Sequence, residues 1–115
     1  MNFELYYKNK KGSKVSVTPT QHALDRYLER WKLVQPDKDT TDAEILCTLP
    51  HYFNLADRLT KLGKHDQERL KKYGKDTMFF RKNHWTFVVQ NSQLVTVEIS
   101  SKNNRHLNKQ STQRH

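Results

Sequence analysis

Cysteine is nearly absent from this 115-residue chain: Cys47 stands alone, which excludes an internal disulfide framework. There is no run of 18 apolar residues and no hydrophobic N-terminal segment. Neither a membrane span nor export is therefore expected, and the natural compartment is a reducing cytoplasm. Metal-ligand spacing is equally scarce. Cys47 with His51 offers two donors, where a closed zinc site takes four and usually more than one thiolate, so no metal and no cofactor are expected. There is no internal repeat. Negative charge is missing from one part of the chain altogether, because residues 101–115 carry four cations and no carboxylate.

What is present is positive charge. The formal net charge is +9 and the isoelectric point is near 9.8. Residues 1–34 hold seven cations against three anions and residues 35–100 ten against nine, so the excess sits at the two ends. Such an excess suits a polyanionic partner, most often nucleic acid, because each neutralised phosphate releases counterions. It names neither a sequence nor a reaction. The length fits one domain with a modest core. In "SKNNRHLNKQSTQRH" Leu107 is the single large apolar residue, and burial cannot repay the entropy of ordering it. The chain divides into a domain of 1–100 and a mobile basic tail of 101–115.

The patterning predicts a small α+β domain: an N-terminal hairpin, two or three helices, then a C-terminal antiparallel meander. "NFELYY" and "KVSVT" flank the Gly-containing "KNKKGS", the pattern of a β-hairpin, with one of Tyr6 and Tyr7 inside and the other outside. Thr18 to Gln21 reads as a capping box with Pro19 at the first helical position. Ala23, Leu24, Tyr27, Leu28 and Trp31 then form one buried stripe of a helix ending near Leu33. Thr41 with Glu44 offers a second capping box after the turn-rich "QPDKDTTD". A short helix follows to Leu49, and Pro50 permits a kink or a fresh start. Leu55, Ala56, Leu59 and Leu62 keep helical spacing up to Gly63. "KHDQERLKKYG" reads as an exposed, weakly anchored helical turn or two.

From Thr77 the period changes to two through "TMFFR", "HWTFVVQ" and "LVTVEIS", which predicts three antiparallel strands. A two-residue turn at Lys82 and Asn83 sets Phe80 opposite Trp85 and Arg81 opposite His84. For the second connection, a three-residue Asn91–Gln93 loop keeps the faces unmixed, pairing Val89 with Val95, Phe87 with Val97 and Trp85 with Ile99. Arg81, His84, Thr86, Thr96 and Glu98 then share a polar, partly cationic face, in company with Phe79 and Val88. Trp31 and Trp85 fall on the apolar faces and are expected in the core.

One helical edge bears on chemistry. His22, Arg26 and Arg30 recur every four residues, making a rail beside the apolar stripe, while Asp25 and Glu29 are mostly turned elsewhere. A solvated cationic edge is the ordinary reading of such spacing. The alternative is phosphate chemistry, since arginines fork onto phosphate oxygens, and a second histidine at 51 and a face with Arg81 and His84 accompany the rail. RNA cleavage without a metal needs a base for the 2′-hydroxyl, cations for charge developing on phosphorus oxygens, and an acid for the departing 5′-oxygen. Histidine serves either proton role because its unperturbed pKa is about 6.5. Such a catalyst cuts RNA and spares DNA, which lacks the internal nucleophile.

"TQHALDRYLER" followed by "AEILCTLPHYF" resembles the helical segment of the RegB-like phage endoribonucleases within the RelE-like group, and "FFRKNHWTFVVQNSQLVTVEIS" resembles that group's final sheet hairpins. Similar His-Ala-x-x-Arg-x-x-x-Arg openings occur across the barnase, colicin and RelE architecture. The resemblance covers roughly residues 16–100. Here the spacing from His22 to His51 is longer, and "LTKLGKHDQERLKKYGKD" reads as an insertion. The resemblance implies a metal-independent endoribonuclease acting on mRNA, with His22, Arg26 and His51 on its catalytic positions. From the rail and the polar sheet face, Arg30, Arg81, His84 and Thr96 are the expected substrate contacts, and the ribosome or an accessory protein is a further candidate partner. Two other readings use the same residues: an RNA-binding or anti-host protein without catalysis, and a toxin held by a cognate antitoxin.

Overall fold

The computed structural model describes residues 4–35 and 39–99. β1 (Leu5–Lys8) and β2 (Lys14–Pro19) form the expected antiparallel hairpin, with Leu5 opposite Val17 and Tyr7 opposite Val15. Its turn is held by the Asn9 carboxamide oxygen, which accepts from the Lys11 and Ser13 N–H groups, and by Gly12 at φ 82°, a value L side chains rarely adopt. Tyr7 packs inward against Phe80, with ring centroids 5.1 Å apart. Tyr6 lies outside, beneath the Lys14 ammonium.

α1 (Gln21–Val34) begins two residues later than the Thr18 box predicts. Thr18 and Pro19 still belong to β2, which pairs in parallel with β6 at Gln93 and Leu94. Thr20 is the N-cap: its hydroxyl oxygen accepts from the Ala23 N–H, and its own N–H donates to the Leu94 carbonyl. Ala23, Tyr27 and Trp31 are buried and Leu24 and Leu28 half-buried, as the stripe predicts. α2 (Asp42–Asn54) starts at the expected Thr41–Glu44 capping box, both halves of which form, and such a cap contributes about 1 kcal/mol. Pro50 neither ends nor restarts it: the helix continues to Asn54, burying Ile45, Leu49 and Phe53.

The segment after Leu55 is not helical. Asp57–Arg58 is a short strand, β3, antiparallel to β4 at Arg81 and Phe80, and the Leu59 N–H donates to the Phe79 carbonyl. Pairing on the outer edge of β4 outweighs the helical spacing of the leucines. α3 (Lys64–Tyr73) is a full ten-residue helix. It is anchored by a buried Asp66 and by the Gln90 amide, which donates to the Tyr73 carbonyl.

β4 (Met78–Lys82), β5 (Trp85–Gln90) and β6 (Gln93–Ile99) form the predicted antiparallel meander. Both turns differ in detail. The first lies at Asn83 and His84, so Lys82 faces Trp85, Phe80 faces Phe87 and Arg81 faces Thr86. The turn lies one residue later, so the pairing slips by two residues, an even shift that keeps the strand residues on their predicted faces while His84 passes into the turn. The second turn has two residues, Asn91 and Ser92, at φ 52° and 60°; positive φ at both positions matches the right-handed strand twist. Val89 consequently faces Leu94, and a bulge carries Val95 as the extra residue. Phe87 still meets Val97, and Trp85 still meets Ile99. The bulge does what the three-residue loop was expected to do.

Among the described residues the sheet has six strands in the order β1-β2-β6-β5-β4-β3 and is mixed, because the β2–β6 junction is parallel. α1 and α2 cover one face over a core that includes Tyr27, Leu49, Phe53, Phe80, Trp85 and Phe87. Residues 101–115, expected to form a tail, lie outside the described residues.

Candidate functional site

The rail is in part an ion-pair chain. Arg30, half-buried, places one guanidinium nitrogen 3.1 Å from Glu98 of β6 and another 3.3 Å from Glu29. Arg26 lies 3.4 Å from Glu29, one turn ahead of Arg30. Glu29 therefore turns back onto both arginines, although its helical angle points elsewhere. The Arg30–Glu98 pair also fixes the direction of the rail. Glu98 shares a cross-strand row with Thr86 and Arg81, so this edge of α1 runs toward the side of the sheet opposite the core.

That side is not an open cationic surface. Arg81 donates to the Thr86 hydroxyl at 3.1 and 3.2 Å and pairs with Asp66 of α3 at 3.1 Å. The Asp66 carboxylate is buried and also holds Arg69 at 2.7 Å. Thr86 and Thr96 are buried, as are Phe79 and Val88 on the same side, in one cross-strand row with Thr96, and the Thr96 hydroxyl donates to Glu98. Four arginines, Arg26, Arg30, Arg69 and Arg81, are thus matched by Glu29, Asp66 and Glu98. α3 supplies the buried carboxylate, Asp66, which no local pattern in "KHDQERLKKYG" marks as buried.

The pairs differ in strength. Arg26 and Glu29 are both largely solvated, with side-chain exposures of 36% and 57%, and such a pair contributes about 0–1 kcal/mol. A phosphate can take Arg26 from it at little cost. Arg81 is committed to a carboxylate that is only 6% exposed, and removing a cation from a buried partner is expensive.

The histidines fall into two groups. His22 is exposed on the first turn of α1, with Arg26 one turn on, and it has no hydrogen bond or ion pair to a described residue. His51 is exposed in the last turn of α2, its ring edge-on to Tyr52 at 5.4 Å. Tyr52 neighbours Trp85 at 6.4 Å, and Trp85 neighbours His84 at 5.0 Å. His51 and His84 thus flank one aromatic cluster, which Trp31 completes by stacking on Trp85. His22 is nine residues before Trp31, about 13 Å along the helix axis. The His84 imidazole is pushed below its ordinary range by burial, and its Nε2 is buried without a hydrogen-bond partner among the described residues. No three His, Cys, Asp or Glu side chains converge as a metal site among the described residues, and no helix there is long and apolar enough to cross a membrane.

A second concavity was not foreseen. The curl of the sheet brings edge strands β1 and β3 toward each other, leaving two hollows of about 460 and 480 Å3 that share Lys8 and Arg58. The hairpin pattern accounts for the basic "KNKK" run only as a turn, and β3 has no strand-like pattern of its own. No family model, no curated protein and no solved structure matches this chain. Its class is defined by its fold, a small compact α+β domain with, among the described residues, three helices and a curled, six-stranded mixed sheet.

Proposed function

We propose that this protein is a metal-independent endoribonuclease of RegB-like type on a RelE-like architecture, acting on mRNA in the cytoplasm. The observation that carries the reading is the pairing of an exposed, unengaged His22 with Arg26 one turn along α1, held only by a weak solvent-exposed ion pair. In this scheme His22 takes the proton of the 2′-hydroxyl as that oxygen attacks phosphorus and the bond to the 5′-oxygen breaks. Arg26 leaves Glu29 to hold the charge growing on the non-bridging oxygens. His51 is the second acid–base group implied by the resemblance and protonates the departing 5′-oxygen. Arg30 and Arg81 act chiefly by positioning, because Glu98 and Asp66 hold them. His84 and Thr96, from the polar face of the last three strands, complete the proposed substrate contacts.

Defined RNAs incubated with the purified chain in EDTA test this. Cleavage is expected to persist in EDTA, to spare DNA of the same sequence, and to fall about 10²–10⁴-fold in His22→Ala and His51→Ala, the usual contribution of general acid–base groups. Equal cleavage by the wild type and His22→Ala would sink the assignment. A second reading, RNA binding without cleavage, is favoured by one observation: no contact joins His22 to His51 among the described residues. It is the result expected if RNA is bound but left intact.

A further inference from the structure

We propose that the trough between β1 and β3 binds single-stranded nucleic acid, with phosphates on Lys8, Lys10 and Arg58 and a base against Tyr6. This inference shares with the endoribonuclease reading only the chemical class of the partner. Its residues lie outside the His22–Arg26 edge.

Charge complementarity is the first ground. Lys8, Lys10, Lys14 and Arg58 form no ion pair with any described residue, and among the described residues Asp57 is the one carboxylate lining either hollow. At the other candidate site every arginine is matched. Unpaired cations along a groove are what a phosphate backbone requires.

The second ground is the apolar wall. Tyr6 presents a half-buried ring with the Lys14 ammonium 4.5 Å from its centroid, and the Leu55 side chain opposite is 55% exposed. A duplex offers such a surface only phosphates, whereas an unpaired base can stack on it. Each hollow falls within the roughly 300–1,000 Å3 of small-ligand sites, and the two adjoin at Lys8 and Arg58.

The third ground disfavours a peptide added as a strand. Asn54 already occupies the outer edge of β1: its side-chain oxygen accepts from the Tyr6 N–H at 3.0 Å, and its amide donates to the Glu4 carbonyl at 3.0 Å. Two of the backbone groups that strand addition would use at the start of β1 are therefore taken. What remains open is side-chain charge and an aromatic face.

The test is fluorescence anisotropy on the full chain with three probes: a 2′-O-methyl uridine decamer, which the reaction above cannot cleave, a deoxythymidine decamer, and a duplex RNA of equal length. Tight, salt-dependent binding of either decamer in preference to the duplex is expected, and comparison of the two decamers tells RNA from DNA. Lys8→Ala with Arg58→Ala should weaken binding about 10–100-fold and reduce the salt slope by about 1.4, as two lost phosphate contacts on a single strand require. Tyr6→Leu should weaken it about 5–150-fold, the range for a lost stacking partner. Lys71→Ala with Lys72→Ala, exposed on α3, serves as the control for bulk charge. An equal loss from that control, no binding of either decamer, or a preference for the duplex each overturns the proposal. Binding that survives without cleavage of natural RNA overturns only the endoribonuclease reading.

Discussion

At the scale of single residues, this protein spends much of its charge on itself. Asp66 and Glu98 draw Arg81 and Arg30 out of the pool available to a ligand, while His22 and Arg26 keep solvent access. Tyr27 shows the same economy among neutral groups. Its hydroxyl lies 2.6 Å from that of Thr48, which itself donates to the Ile45 carbonyl, so Tyr27 is the donor in the first link, and burial pushes its phenol far above the ordinary range. His84 gives a pH prediction. Burial lowers its folded pKa below the unfolded value of about 6.5, so below that pH the unfolded chain binds the extra proton. Its contribution is complete above about pH 6.5 and is lost as the pH falls toward the folded value. In urea titrations from pH 8 to 5, His84→Gln should lose less stability over the acid half than the wild type. Parallel curves would show that His84 has no such role.

At the scale of elements, local signals and pairing compete. The Thr41–Glu44 box and the α1 stripe act within a few residues and appear where the pattern puts them. The Thr18 box does not form because β6 claims Thr18 and Pro19 first. The leucines from 55 to 62 become an edge strand and turns because β4 has an open edge. The β5–β6 turn supplies a prediction at this scale. Ser92 holds φ 60°, which costs a residue with a Cβ more than it costs glycine, and its carbonyl bond from Thr18 needs no side chain. Ser92→Gly should stabilise the chain by about 0.5–1 kcal/mol, raising the melting temperature by a few degrees. A lower melting temperature would mean that the Ser92 side chain contributes something the turn geometry does not explain.

At the scale of the whole molecule, the net charge of +9 is distributed unevenly among surfaces. The α1–β6 side is nearly neutralised and the β1–β3 trough is not. The four cations of residues 101–115 add a sequence-independent contribution on this reading. Truncation after Ser100 should weaken binding of all RNAs alike and flatten the dependence of log affinity on log salt by about three for single strands. Affinity and slope unchanged by the truncation would remove the tail from the binding account.

The sequence by itself determined the hairpin, the buried stripe of α1, the cap of α2 and which residues of the meander face the core. These rest on periodicities and caps that neighbouring residues set for one another. It also determined which side chains are chemically able to handle phosphate. Only the tertiary structure decided the company they keep: Glu98 with Arg30 at a separation of 68 residues, Asp66 of α3 with Arg81 of β4, and Lys8 with Arg58 across a trough whose second wall has no sequence signature. Partners so far apart in the chain are chosen by strand order and sheet curl. Those depend on how all the elements bury their apolar faces together, which no short window of sequence specifies.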